Sequence, residues 1–333
     1  MRQDALMAHQ LARGRRGVPP TVVIMVVTLL SILLGFAQKY PCNNGHPGPG
    51  VLWRQSCYTD LLPLYSGRGL NDGDLPYLDH DVEYPVLTGG LMAAVGLPVH
   101  SLGKSGALLR AARAVGFETV DEGVVFYWGT AVVLGCLAML TSWALLACRR
   151  ERPWDVLMWA VSPGLILAAT VNWDLLAVSL TTVAILAWAR GRPGWAGALL
   201  GLGAAAKFYP LLVLGPLIML CLRQRTFRTA RAASITVAAA VVAWGVVNLP
   251  IALVAPHGWA EYYRFSTRRW IDWGSLWFIL DQSTHQRFGG GLVHALSGDV
   301  AALNLSSWLL FVVCCAGIGV LIWFAPRTPR VAS

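Results

Sequence analysis

"VNWDLLAVSLTTVAILAWARGRPGWAGALLGLGAAAKFYPLLVLGPLIML", residues 171–220, holds apolar runs separated by one basic turn and one charged break. A helix needs about 20 apolar residues to cross the hydrocarbon core of a bilayer. Residues 174–189 come close to that length and end at the basic block "ARGRPG" (189–194). Segment 195–222 has basic blocks at both ends, so keeping both on one side requires an even number of crossings. Splitting the segment at "KFYP" (207–210) gives two short helices, with Lys207 and Tyr209 where they meet. Backbone broken at membrane depth persists only where protein or water satisfies it. A single tilted span would instead strand four arginines on the far side.

The same charge logic extends outward. "MRQDALMAHQLARGRRG" (1–17), "CRRERP" (148–153), "RQRTFRTAR" (223–231) and "PRTPR" (326–330) are the other basic blocks. The positive-inside rule puts them all in the cytoplasm with both termini. Residues 1–20 then form a cytoplasmic N-terminus, and 21–37 a first span that lacks a small-residue cleavage site and reads as a retained signal-anchor. Residues 38–122 are one external loop, 123–254 a transmembrane core, 255–303 a second external region, and 304–333 a last span with its tail. The predicted fold is an all-α polytopic membrane protein of about eight spans: 21–37, 123–147, 154–171, 174–189, two within 195–222, 232–254 and 304–325. Residues 84–103, "YPVLTGGLMAAVGLPVHSLG", are interrupted by Gly, Pro and His and read as an interfacial or re-entrant segment. "SGALLRAARAVGF" (105–117), with Arg110 and Arg113, suits a helix at headgroup level. Only 13% of the chain is charged, and its +9 balance sits in short loops without a basic-aromatic strip, which excludes a nucleic-acid partner.

This topology gathers the unusual polar groups on the outer face. The first loop brings Arg54, Asp60, Arg68, Asp72, Asp74, Asp79, His80, Asp81 and Glu83. The turn at 171–174 adds Asn172 and Asp174, and the broken helix adds Lys207 and Tyr209. "EYYRFSTRRWIDWGSLWF" (261–278) adds Arg264, Arg268 and Arg269. Ionisable groups at membrane depth usually line a cavity or bind something. Carboxylates beside cations and aromatic rings suit an anionic head joined to a polyhydroxylated group and an apolar tail.

Each group also has a plainer reading. Asp60 in "YTDLLPLY" fits a helix cap. "LNDGD" (70–74) is turn-forming by composition. "LDHDVE" (78–83) offers oxygen and imidazole ligands to a divalent cation, without motif spacing. Lys207 fits a snorkelling residue, and Arg268 and Arg269 fit contacts to acidic headgroups. Trp259, Trp270, Trp273 and Trp277 are residue types expected at an interface.

Cys42 and Cys57 both fall outside, where a disulfide forms readily. Closing their loop would contribute about 3 kcal/mol. Cys136, Cys148, Cys221, Cys314 and Cys315 lie in or at the ends of apolar runs and read as packing residues. No zinc-type Cys/His spacing, Walker loop or G-x-S-x-G elbow occurs.

A first span followed by "YTDLLPLY", "GLNDGDLPY" and "EYPVLTG", then the 171–220 stretch quoted above, resembles GT-C-fold glycosyltransferases. In particular it resembles the polyprenyl-phosphate-mannose-dependent mannosyltransferase-like membrane proteins of actinobacteria. The likeness covers roughly residues 21–222, and Val86 stands where that family usually has a second proline. The resemblance implies Asp60 as general base, Asp174 as a supporting catalytic carboxylate, and Lys207 as a contact to the donor phosphate. Arg268 and Arg269 join the phosphate set from topology, and Glu83, Tyr84 and Tyr209 shape the cavity.

The implied activity moves a mannose-like hexose or a pentose from a polyprenyl-phosphate donor to a glycan or glycolipid acceptor at the outer face of the plasma membrane. One base and one displacement invert the anomeric centre. A monophosphate leaving group facing fixed cations makes a metal optional, and no cofactor is called for. Two other classes stay open. A transporter or flippase for polyprenyl lipids or anionic solutes would show internal repeats with paired broken helices, of which one broken helix is evident. An inactive GT-C relative would serve as an assembly partner.

Overall fold

The computed structural model describes residues 18–42, 50–269, 271, 275–288 and 300–325. The basic blocks 1–17 and 326–330, and the predicted interfacial Trp270 and Trp273, lie outside the described residues. Its α-helices are named in chain order. The first six are α1 Pro20–Lys39, α2 Val51–Arg54, α3 Leu61–Gly67, α4 Val86–Lys104, α5 Ala107–Ala114 and α6 Glu122–Cys148. Next come α7 Leu157–Ala160, α8 Pro163–Ala168, α9 Asp174–Ala189, α10 Pro193–Ala206 and α11 Leu214–Gln224. The last four are α12 Phe227–Val254, α13 Pro256–Arg268, α14 Leu276–Phe288 and α15 Val300–Phe324. Among the described residues, the only strand-like pairing is an isolated bridge between Pro76 and His80.

Helices α1 and α6 run antiparallel. Thr28 and Ser142 share a hydroxyl hydrogen bond of 2.9 Å at one level. Phe36 meets Trp128 at the other in a tilted contact, with centroids 4.0 Å apart. Ser31 donates to Ala160 O at 2.6 Å, so α7 and α8 rise beside α1 in the same direction. Between apolar helices such hydroxyls add attraction that burial in lipid cannot supply. Hairpin α9–α10 turns at Gly191, and α10 then packs along α12. Gly197 and Gly201 make that approach possible, since a Cβ on either would stand 2.1 or 2.2 Å from the carbonyl oxygen of Thr236 or Ala240. Four residues apart, the two glycines present one flat face to the partner backbone.

The bundle has two chemically different ends. Ile24, Leu146, Val156 and Ala160 cluster near one end, where Arg190 also lies over the Trp143 ring. Arg228 and Arg231 stand beside Gly191 there, and Arg223 donates to Ile322 O in α15. The basic turns therefore gather at this end. At the opposite end lie the C-terminus of α1, the N-terminus of α6, the 170–174 turn, the 206–210 break and the long 55–85 loop. Cys42 and Cys57 are joined by a disulfide at this second end.

Two elements differ from their sequence-based expectation. Residues 154–171 cross the bundle beside α1 but not as one helix: a 3-10 turn (Pro153–Val156) precedes α7, and Pro163 starts α8 after a break capped by the Ser162 hydroxyl. Proline removes the donor and blocks continuation of the preceding turn. Residues 86–104, by contrast, are one unbroken helix through Pro98. Among the described residues, five helical segments are long and apolar enough to cross a membrane: Pro20–Cys42, Val86–Lys104, Glu122–Cys148, Phe227–Val254 and Ala301–Phe324. Asp174–Ala189 and Tyr209–Gln224 are shorter apolar helices. Composition alone thus makes α4 a span candidate, yet both of its ends meet the same end of the bundle. Thr88 donates to Ala206 O at the close of α10, and Gly103 abuts Glu122 at the start of α6. Helix α5 carries Arg110 and Arg113 and buries no residue.

Candidate active site

The disulfide pins the chain three residues ahead of Asp60. Thr59 is buried and donates to Thr170 O at 2.7 Å, while Asp60 N donates to Val171 O at 2.7 Å. Two consecutive residues are thereby bound to the turn that precedes Asp174. Asp60 sits at the N-cap position of α3, but its side chain makes no cap hydrogen bond. Leu61 N–H is taken by the Thr59 hydroxyl instead. The helix-cap reading of Asp60 therefore fails, and its carboxylate is free for other donors.

Those donors are two phenols. Tyr58 donates to Asp60 Oδ1, and Tyr84 donates to Oδ2 at 2.8 Å. Tyr84 is held in turn by Trp173, whose ring it meets edge-on at 5.3 Å. Burial, then the adjacent Asp60 carboxylate, pushes the Tyr84 phenol well above its ordinary range, so it remains a donor at neutral pH. Trp173 is only 2% exposed, and its indole N–H is buried with no hydrogen-bond partner. The next residue, Asp174, accepts from Lys207 Nζ, and its own N–H donates to Asn172 Oδ1 at 3.0 Å. Lys207 occupies the extended residue that ends α10, so the break places the cation opposite the first turn of α9. Tyr209, two residues on, has its hydroxyl buried beside Asp174 and Thr181.

A second set lies next to this one. Arg68 grips Glu83 through two bonds, Nε to Oε2 at 2.6 Å and Nη2 to Oε1 at 2.8 Å. The Glu83 hydrogen bond holds the guanidinium pKa above its ordinary value against the opposing effect of burial. From α13, Glu261 accepts from Arg264 and Arg268, each at 3.2 Å. These groups flank a cavity of about 460 Å³ that Tyr77, Asp79, Asp81 and Phe265 also line. Asp60 and Lys207 lie outside that lining; Tyr84, next to the lining residue Glu83, leads from it to Asp60. Arg269 lies over the Phe265 ring, 5.6 Å from its centroid.

Tyr77 ties loop and helices together. Its hydroxyl donates to Tyr84 O and Pro85 O, and its backbone carbonyl presses on Gly258 of α13. "LNDGD" is a turn, with Asp72 N and Asp74 N both donating to Gly69 O at 3.0 Å. In "LDHDVE", Asp79 accepts from Leu75 N, and Asp81 Oδ1 lies 3.5 Å from His257 Nδ1. Among the described residues, no three His, Cys, Asp or Glu side chains converge as a metal-holding group. Trp259 and Trp277 do more than sit at an interface: their indoles donate to Asn248 Oδ1 and Ser307 Oγ.

Residues 117–333 match the model of glycosyltransferase family 87. The chain belongs to glycosyltransferase family 87. No curated protein and no solved structure matches it. Membership makes this helical membrane protein a glycosyltransferase of GT-C type, and it extends the likeness beyond residue 222 to α12–α15. Asp174, Lys207, Glu261, Arg268 and Arg269 lie inside the matched part of this family 87 chain; Asp60 and Glu83 precede it.

The structure also places residues beside these that sequence reasoning did not single out. Tyr58, Trp173 and Glu261 each contact a predicted site residue or its neighbour. Tyr58 had one available signal, its position two residues from Asp60.

Proposed function

We propose that this family 87 chain transfers a mannose-like hexose or a pentose from a polyprenyl-phosphate donor to a glycan or glycolipid acceptor, with inversion and without a metal. The observation that carries the reading is the short path Asp60–Tyr84–Trp173–Asp174–Lys207. It brings a carboxylate held by two phenols near a cation positioned by a second carboxylate.

In this account Asp60 takes the proton from the acceptor hydroxyl as that oxygen attacks the anomeric carbon. Tyr58 and Tyr84 fix the orientation of the carboxylate. Lys207 meets the lipid phosphate that departs and offsets its growing charge, with Asp174 as the positioning residue. Arg268 and Arg269 lie on the α13 side and would serve the phosphate only at the expense of their contacts to Glu261 and Phe265. The site-bearing end faces the cell exterior, where the Cys42–Cys57 disulfide is stable, and the basic end faces the cytoplasm. Helix α4 then lies across the outer ends of its neighbours instead of spanning, which keeps every basic turn on one side.

The test uses membranes containing the full chain, an acceptor extract and two radiolabelled donors, a polyprenyl-phosphate hexose or pentose and a nucleotide sugar. Label transferred only from the lipid-phosphate donor supports the reading. Direct transfer from the nucleotide sugar in lipid-depleted micelles contradicts it.

A further inference from the structure

The cavity lined by Glu83, the sequence neighbour of Tyr84, has a charge pattern of its own. Four carboxylates line it, those of Asp79, Asp81, Glu83 and Glu261, together with the Arg68 guanidinium and the His80 imidazole, and each carboxylate has a neighbour. Asp79 accepts from a backbone N–H, Glu83 is clamped by Arg68, Glu261 by Arg264 and Arg268, and Asp81 stands beside His257. Guanidinium groups thus offset part of the negative charge, and no carboxylate is left bare for a cation. An anion would meet four carboxylate groups, while the guanidinium in the lining, Arg68, is already clamped on Glu83. What remains well matched is a neutral ligand rich in hydroxyl donors, because an ionised carboxylate can accept further hydrogen bonds on its remaining lone pairs. Phe265 adds an apolar surface for the C–H face of such a ligand. The volume of about 460 Å³ falls within the range usual for small-molecule sites.

We infer that this cavity is the acceptor subsite, taking a neutral sugar or cyclitol unit whose reactive hydroxyl points toward Asp60. The inference rests on the glycosyltransferase reading for its role, and on the cavity alone for its ligand chemistry. Position argues for acceptor over donor sugar. The lining residue Glu83 adjoins Tyr84, which reaches Asp60, whereas Lys207 is not in the lining and is bound to Asp174. The segment "LDHDVE" thereby gains a role as the cavity wall.

The test has two arms on the purified full chain. In the first, saturation-transfer NMR measures binding of methyl hexopyranosides, methyl pentofuranosides and a cyclitol. Asp81→Asn should weaken the bound member about tenfold, the scale of one hydrogen bond to a charged group, and Phe265→Ala should weaken it by a similar factor through lost apolar contact. No binding by the wild type, or binding unchanged in both cavity variants, overturns the inference. This arm needs no turnover, so it decides the cavity even if transfer from a lipid-phosphate donor fails. In the second arm, the cavity variants should raise the acceptor KM and leave kcat and the donor KM unchanged. A rise confined to the donor KM would assign the cavity to the donor sugar and overturn the proposal.

Discussion

Tyr84 donates its hydroxyl to Asp60 Oδ2 at 2.8 Å across 24 residues of loop. That bond fixes how the first loop closes over the bundle, because Tyr84 also packs on Trp173 and begins the return to α4. Burial and the Asp60 charge keep the phenol protonated far into alkaline pH.

The pH dependence of this contact has a definite sign. An unfolded tyrosine loses its proton near pH 10, whereas Tyr84 in the fold keeps it beyond that point. The unfolded state then binds fewer protons, and stability falls as pH rises above about 10, at up to about 1.4 kcal/mol per pH unit for one such group. Tyr84→Phe should unfold with a shallower alkaline slope than the wild type between pH 9 and 11. Equal slopes would mean that Tyr84 ionises freely in the folded protein.

The Lys207–Asp174 pair is about half exposed on each side, so it contributes little to stability. Lys207→Met should leave the melting temperature within a few degrees and raise the donor KM about tenfold or more, as loss of a charged hydrogen-bond donor does. Lys207→Arg should recover part of the loss. A large drop in melting temperature with an unchanged donor KM would make the pair structural.

Gly258 has no room for a side chain, since a Cβ there would stand 2.2 Å from Tyr77 O. Backbone cannot swing aside as a side-chain tip can, so Gly258→Ala should cost about 1–3 kcal/mol. At Gly67 on α3, a Cβ would meet nothing within 4 Å, and Gly67→Ala should be neutral or stabilising by up to about 1 kcal/mol. Thermal unfolding in one detergent compares the two. Equal effects would deny the close contact between the loop and α13.

The Cys42–Cys57 bond closes a 15-residue separation just ahead of Asp60. Replacing both cysteines by Ser should lower stability by about 3 kcal/mol. It should also reduce transfer more than any change in amount of protein explains. A shift between reducing and non-reducing gels checks that the bond is present.

Much of this arrangement is legible in the chain because it follows local pattern. The break at Lys207 comes from Tyr-Pro after a glycine-rich helix, and the gathering of basic turns at one end comes from charge alone. Asp60 stands out as a carboxylate soon after the first apolar run. What spacing does not reveal is partnership over long separations. Arg68 finding Glu83, Trp173 finding Tyr84, and Glu261 facing the first loop all depend on how the loop folds back. The helical continuity of 86–104 was hidden for a different reason. Glycine and proline weaken a helix in isolation, but a single proline forfeits one hydrogen bond, and neighbouring elements hold the rest. The break within 154–171 is illegible for the converse reason, since apolar content alone does not show that Ser162-Pro163 ends one turn and starts another.

We propose Asp60 as the base. The direct measurement compares wild type and Asp60→Asn for transfer of labelled sugar from a polyprenyl-phosphate donor, at equal protein and matched melting temperature. Because the side chain caps no helix, the substitution should leave folding intact while lowering the rate by about 10²–10⁴-fold. Transfer at the wild-type rate in a folded Asp60→Asn protein would contradict the account.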